Sequence, residues 1–187
     1  GDSDGYGDSA STTVACDAPD GFVADNTDCA DGDSTVNPGA TELCDELDNN
    51  CDGTIDEASA ADASTFYADA DTDGYGDGAS SLVACEAPAG YVSDSTDCDD
   101  GVTAVNPAAA ELCDEQDNNC DGVVDEASAT DASTFYADAD NDGYGDAGSS
   151  AQACEAPGGY VTTSNDCDDG DKLVNPGATE VCGGGDE

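Results

Sequence analysis

The sequence predicts small, loop-rich α+β modules with little regular secondary structure, repeated in tandem as an elongated array. Three observations predict it: a strict internal period, a cysteine framework locked to that period, and a shortage of core-forming side chains. Cys16, Cys85 and Cys154 are spaced 69 residues apart. Cys29, Cys98 and Cys167 keep the same step, as do Cys44, Cys113 and Cys182, and also Cys51 and Cys120. The stretch from Ala58 to Asp77 recurs from Ala127 to Asp146 with changes only at Ala61/Thr130 and Thr72/Asn141. Self-similarity at a fixed period marks an array in which each unit packs mainly on its neighbours. The modules are drawn as 1–57, 58–126 and 127–187, the outer two incomplete. An odd cysteine then reads as the product of a window cut from a longer array.

The core is thin by composition. Among 187 residues there are 3 Phe, 7 Tyr and no Trp or Met, and alanine supplies much of the apolar fraction. Against 46 Asp plus Glu stands one basic residue, Lys172, giving a formal charge of -45. Such acidity fits a disordered tail, a surface adapted to high salt, or a set of cation ligands. It excludes nucleic-acid binding, because no basic patch exists to displace counterions from phosphates. Attraction to an anionic membrane is disfavoured for the same reason, and no transmembrane segment is visible.

Eleven cysteines in a chain so poor in core residues imply disulfides and an oxidising, secreted or cell-surface location. Zinc is the competitor, but histidine is absent and the short cysteine spacing is C-x6-C, not C-x2-C. Four cysteines per module allow three connectivities. Pairing near neighbours predicts Cys16–Cys29, Cys44–Cys51, Cys85–Cys98, Cys113–Cys120 and Cys154–Cys167.

Within one module, Ser64 to Ala68 reads as a strand entering an acidic loop. Leu82 to Glu86 and Tyr91 to Ser93 read as a hairpin around Ala87-Pro88-Ala89-Gly90, and a short helix is expected near Ala109 to Glu115. Between these lie three kinds of acidic loop. Asp48-Asn49-Asn50-Cys51-Asp52-Gly53 recurs at Asp117 to Gly122. Against an EF-hand loop, Asp48, Asn50 and Asp52 take positions 1, 3 and 5, Thr54 offers its carbonyl at 7, and Asp56 sits at 9. The second copy supplies Asp117, Asn119, Asp121, Val123 and Asp125. Position 12 lacks a glutamate, so Glu57 and Glu126 are candidates for the missing bidentate ligand.

The second kind is D-x-D-x-D-G-Y-G-D. Its candidate ligands are Asp69, Asp71, Asp73, Tyr75 (carbonyl) and Asp77, then Asp138, Asp140, Asp142, Tyr144 and Asp146, with Asp2, Asp4 and Asp8 in the first copy. Three carboxylates packed this closely repel unless a cation lies between them. The third kind is D-C-D-D, with Asp97, Asp99, Asp100 and Glu111, then Asp166, Asp168, Asp169 and Glu180. Its first copy departs from the pattern as Asp28, Asp31 and Asp33. Eight loops holding one ion each would offset about +16 of the -45.

The string E-L-C-D-E-x-D-N-N-C-D-G-x-x-D-E, with D-C-D-D and V-N-P upstream, resembles the MopE-type metal-binding repeat family over Asp28 to Glu57 and Asp97 to Glu126. The D-x-D-x-D-G loops are also similar to thrombospondin type 3 calcium repeats. The resemblance implies a metal-binding protein secreted by a bacterium or archaeon. Copper, in the family's name, is disfavoured by a donor set without imidazole or thioether; oxygen donors favour calcium, about two to three ions per module.

The functional expectation is an extracellular structural protein: a stalk, adhesin spacer or surface filament whose partners are neighbouring modules or copies of itself. O-linked glycans on Ser9 to Thr13, Ser80-Ser81 or Ser149-Ser150 are a further expectation. The alternatives are a calcium buffer or sensor, and a secreted metal scavenger. Identical loops in tandem, with no histidine or arginine, speak against an enzyme.

Overall fold

A computed structural model describes residues 1–179. The chain falls into two compact units, Gly1–Thr96 and Asp97–Glu187. Each begins with loops and contains a small three-stranded sheet.

In the first unit the strands are β1 (Ser64–Ala68), β2 (Asp77–Ala84) and β3 (Tyr91–Val92). The β-branched and aromatic residues of Ser-Thr-Phe-Tyr-Ala suit a pleated, half-buried surface, and β1 becomes the central strand, in the order β2-β1-β3. Phe66 stands opposite Leu82, while Tyr67 pairs with Ser81 on one side and Val92 on the other. The second unit repeats this with β4 (Ser133–Ala137), β5 (Ser150–Ala153) and β6 (Tyr160–Val161). The strand expected at Ser64 to Ala68 therefore forms, but the hairpin does not. Leu82 to Ala84 and Tyr91-Val92 lie on opposite edges of β1 and never pair, because the aromatic strand offers both of its edges.

The second glycine of each D-G-Y-G loop makes that sheet possible. A Cβ on Gly76 would lie 2.9 Å from the Ala68 and Asp94 carbonyl oxygens, and on Gly145 it would lie 2.8 Å from Tyr136 Cβ. Only a bare backbone can pass so close to β1 or β4.

The helix expected at Ala109 to Glu115 is absent, and the described residues contain no helix at all. Its amides are claimed by side chains instead. Leu112 N–H donates to Asn118 Oδ1 and Cys113 N–H to Asp131 Oδ1, and Glu115 adopts φ 67°. Leu43 and Cys44 do the same with Asn49 and Asp62. Local side-chain acceptors outcompete the helical ladder. Among the described residues no helix is long and apolar enough to cross a membrane.

What is buried is mostly polar. The buried apolar set is Val36, Ala60, Val105, Ala129 and Phe135. The buried polar set is longer: Asp28, Asn37, Glu42, Asn49, Asp69, Asn106, Glu111, Asn118 and Asp138. Hydrophobic burial alone cannot hold such an interior.

The disulfides correct every predicted pair. The bonds are Cys29–Cys51, Cys44–Cys85, Cys98–Cys120 and Cys113–Cys154. Neither Cys16–Cys29, Cys44–Cys51, Cys85–Cys98, Cys113–Cys120 nor Cys154–Cys167 forms; Cys16 and Cys167 are exposed thiols. The cause is the curl of the D-N-N-C loop. Cys51 has φ 58° and its sulfur receives the Cys29 N–H at 3.1 Å, which fastens the D-C-D turn to that loop. Cys44 is then left for Cys85, just past the end of β2. One bond thus closes the motif on itself and the other ties it to the following sheet, crossing the 57/58 boundary drawn from the repeat; Cys113–Cys154 likewise crosses 126/127. Cys182 lies outside the described residues.

Peptide mapping without reduction should recover these four links, at separations of 22 and 41 residues. Replacing Cys44 and Cys85 together by serine should cost about 4 kcal/mol in chemical unfolding. Recovery of Cys44–Cys51 would refute the architecture.

Candidate metal centres

Each D-x-D-x-D-G loop curls by the same backbone device. Position 4 and the glycine at position 6 both adopt positive φ: Ser3 and Gly5, Thr72 and Gly74, Asn141 and Gly143. The D-N-N-C loops share it, with Cys51 and Gly53 and with Cys120 and Gly122. The curl turns alternate carboxylates inward and lets each catch a backbone amide ahead of it. Asp2 Oδ1 accepts from Asp4 N–H at 3.2 Å and Asp4 Oδ1 from Tyr6 N–H at 2.9 Å. In the last copy Asp138 accepts from Asp142 and Gly143, both at 3.1 Å, and Asp142 Oδ1 accepts from Tyr144 at 2.9 Å.

Asp2 and Asp4 use one oxygen in this way and keep the other buried without a hydrogen bond, whereas Asp69 and Asp138 give both oxygens to backbone amides. Oxygens of Asp2, Asp4 and Asp28 all lie within 4.8 Å of one another. The Oδ2 atoms of all three are buried without a hydrogen-bond partner. Asp28 is only 6% exposed, so its second oxygen cannot be satisfied by bulk water. Two oxygens bound to one calcium at about 2.4 Å are separated by at most about 4.8 Å. Three carboxylates within that distance of one another are close enough to share a single cation.

Asp28 comes from the D-C-D turn, not from the loop that supplies Asp2 and Asp4. Its N–H donates to Gly7 O at 3.1 Å, and the bridge Asp8–Asp28 holds the turn alongside the loop. In the second unit Asp166 N–H donates to Gly145 O at 3.2 Å, and Asp169 Oδ1 accepts from Ala139 N–H at 2.8 Å. Asp138, Asp140 and Asp142 cluster there, and Asp140 and Asp166 keep buried, unpartnered Oδ2 atoms. Asn175 of the V-N-P turn donates to Asp142 Oδ2 at 2.5 Å. The D-C-D turn thus lies alongside the acidic loop in the first and last copies, and in the first its Asp28 joins the carboxylate cluster. Asp69, Asp71 and Asp73 form the same cluster in the first unit.

Other predicted ligands also hold the backbone. Asp8, Asp77 and Asp146 accept the N–H of Ala10, Ala79 and Gly148. Asp31 meets the N-terminal amine at 3.2 Å, and Asp33 accepts from Thr35. Asp97 Oδ1 accepts from Asp99 N–H, while Asp99 and Asp168 cap Gly101 and Gly170; Asp100 is half-buried in the same turn. Tyr75 and Tyr144 donate their N–H to Asp73 and Asp142.

In the D-N-N-C loops, Asp48 accepts from Asp52 and Gly53 N–H, and Asp117 from Asp121 and Gly122. Asp52 and Asp121 accept from Thr54 and Val123. Asp56, expected at position 9, instead caps Asp45 and Glu46 N–H at 3.0 Å, and Asp125 caps Glu115. Two glutamates outside the EF-like frame pack against the loop. Glu57 Oε1 accepts from Asn50 Nδ2 at 3.0 Å and Glu42 Oε2 from Asn50 N–H at 3.0 Å. Glu57 Oε2 and Glu42 Oε1 are left buried and unpartnered. In the second unit Glu126 meets Asn119 in the same way, but Glu111 spends both oxygens on the N–H groups of Asn118, Asn119 and Asp125. Glu42 was not foreseen, although its register with Glu111 one period on would have found it. Glu180 lies outside the described residues.

Charge crowding shows in Asp140, whose carboxyl is raised from its ordinary value of 3.8 by desolvation first and then by the charges of Asp142 and Asp166. Exposed Asp25 and Asp33 go the other way, lowered by hydrogen bonds from Thr27 and Thr35.

Three segments, 28–57, 97–126 and 166–187, match the family model described as "Putative metal-binding motif" (Cu-binding_MopE). No curated protein and no solved structure gives a significant match to the chain. Sulfur enters one possible cluster, Asp97 with Cys98 and Cys120, but those two sulfurs are bonded to each other and offer no thiolate. The donors gathered in the D-x-D-x-D-G loops are carboxylate oxygens, and the chain has no histidine or methionine.

A carboxyl raised in the folded state stabilises the fold below its ordinary value of 3.8, and that contribution is lost as pH rises through the raised value. The lowered groups act in the opposite sense, but both are exposed and screened by solvent. Cation-free protein should therefore resist denaturant better near pH 4 than at pH 7. Added calcium should reverse the trend, since protons then compete with the ion; identical profiles with and without calcium would contradict the cluster.

Proposed function

We propose, for a chain carrying three copies of this metal-binding motif, that it is an extracellular structural protein whose composite carboxylate sites hold calcium. In this reading it serves as a stalk, adhesin spacer or surface filament. The observation that carries it is Asp28, whose buried, unpartnered oxygen faces those of Asp2 and Asp4.

The donor chemistry supports calcium. It takes six to eight oxygens in an adaptable geometry, which curled loops of carboxylate, amide and carbonyl groups can supply. The load path supports a structural role. An ion would join the loop of residues 2–8 to the turn at Asp28, and the adjacent Cys29–Cys51 bond ties that turn to the D-N-N-C loop. Cys44–Cys85 then carries the connection to the end of β2. Ion and disulfides act in series along the chain, where an ordinary domain would rely on packed apolar side chains. Four disulfides fit an oxidising exterior. A sensor would need a bistable element exposing apolar surface, and no helix pair of that kind exists among the described residues. Repetition of one donor set also favours a scaffold over a single active site.

Calorimetric titration of chelator-treated protein should show at least two calcium ions bound per chain, with a gain of ordered structure. Asp28→Asn should weaken the first-copy site by at least about tenfold and leave the Asp166 site unchanged. Indifference to calcium, or tighter binding of copper by the oxidised protein, would defeat the proposal.

A further inference from the structure

The disulfides are not the ones that chain entropy favours. Cys51 is bonded to Cys29 across 22 residues, although Cys44 stands only seven residues away. On loop length alone the longer closure is disfavoured by about fivefold. Cys98–Cys120 repeats the choice, passing over Cys113. A packed core would ordinarily decide such a pairing, but the buried apolar set here is Val36, Ala60, Val105, Ala129 and Phe135. What places Cys29 against Cys51 is the segment from Asp28 to Gly39, which is held at both ends. At one end Asp28 N–H donates to Gly7 O, and its carboxylate lies in the cluster with Asp2 and Asp4. Asp28 is 6% exposed, and its Oδ2 has no hydrogen-bond partner. At the other end the Tyr6 hydroxyl sits against Gly39, where a Cβ would come within 2.7 Å of it. Asn37 N–H then donates at 2.9 Å to the carbonyl of Asn49, two residues before Cys51. Cys29 N–H reaches the Cys51 sulfur at 3.1 Å, and the Cys29 sulfur lies 3.5 Å from Asp48 O. The loop that carries Asp2, Asp4 and Tyr6 thus positions the turn that carries Cys29.

We propose that calcium directs disulfide pairing: the ion bound by Asp2, Asp4 and Asp28 selects Cys29–Cys51 over Cys44–Cys51 during oxidative folding. Such selection presupposes the calcium reading above and extends it from holding the fold to choosing it. Without a cation the three carboxylates repel, the turn at Asp28 leaves the loop, and the shorter closure wins. With the ion in place Asp28 is fixed, and Cys29 is held at Cys51. The oxidant is a small-molecule disulfide. One cysteine thiolate attacks it, forming a mixed disulfide and releasing one small thiolate. The other cysteine's thiolate then attacks the protein sulfur of that mixed disulfide and releases the second. Two protein thiols are oxidised and one small disulfide is reduced to two thiols, with no electron passing to the ion. Cys44 is left in consequence for Cys85.

The test is refolding of the reduced full chain in a glutathione redox buffer, quenched by alkylation and mapped by mass spectrometry. With calcium, Cys29–Cys51 is expected to dominate. With chelator, or with magnesium at equal ionic strength, its ratio to Cys44–Cys51 should fall at least about fivefold. Magnesium is the control for simple charge screening, because it is smaller and gives up its waters reluctantly. Asp28→Asn should show the same fall in calcium, while Cys98–Cys120 keeps its share as an internal reference. An unchanged ratio in chelator, or equal rescue by magnesium, overturns the proposal. An Asp28→Asn chain that pairs as the parent does, or that loses Cys98–Cys120 to the same extent, also overturns it. Calcium uptake by the oxidised protein with no effect on pairing removes this inference and leaves the proposed function standing. No calcium uptake at all removes both.

Discussion

Carboxylate oxygens facing each other across a few ångströms are the constraint on which this structure turns. Asp2, Asp4 and Asp28 each give one oxygen to a backbone amide and keep the other buried without a hydrogen bond, and their carboxylates lie within 4.8 Å of one another. Charges so placed oppose folding unless something positive sits among them. Only one ion pair occurs among the described residues, that between the N-terminal amine and Asp31. With a single lysine in the whole chain, neutralisation cannot come from protein side chains. A cation bound among them would turn that repulsion into a cross-link.

The same logic explains the buried set. Val36 and Val105 anchor the V-N-P turns, yet most of what is hidden is Asp, Asn and Glu. These groups organise backbone that is neither helix nor strand. Asn49 is the clearest case, accepting from Leu43 N–H with its side chain while its carbonyl receives Asn37 N–H. Disulfides then fix the polar lattice by restricting the unfolded chain, where a hydrophobic core would have done so by burial.

Much of this was legible from residue spacing. The strand Ser64–Ala68, the acidic loops and their glycines, and the oxidised cysteine framework followed from period and residue type. Two failures share a cause, sequence distance taken for spatial distance. Cys44 and Cys51 are close in the chain, but the left-handed curl at Cys51 points its sulfur to Cys29. The D-C-D turn looked like a site of its own, whereas Asp28 completes the cluster of Asp2 and Asp4 from more than twenty residues away. Asp56 and Asp125, placed at an EF-hand position by number, also cap neighbouring turns. The helix near Ala109 to Glu115 was lost to side-chain acceptors that helical periodicity does not register.

The most direct measurement is anomalous diffraction at long wavelength from crystals of oxidised protein grown with calcium. The account predicts strong peaks enclosed by Asp2, Asp4 and Asp28, and by Asp140, Asp142 and Asp166, each about 2.4 Å from carboxylate oxygen. Ordered carboxylates in both places with anomalous signal only at the disulfide sulfurs would contradict it.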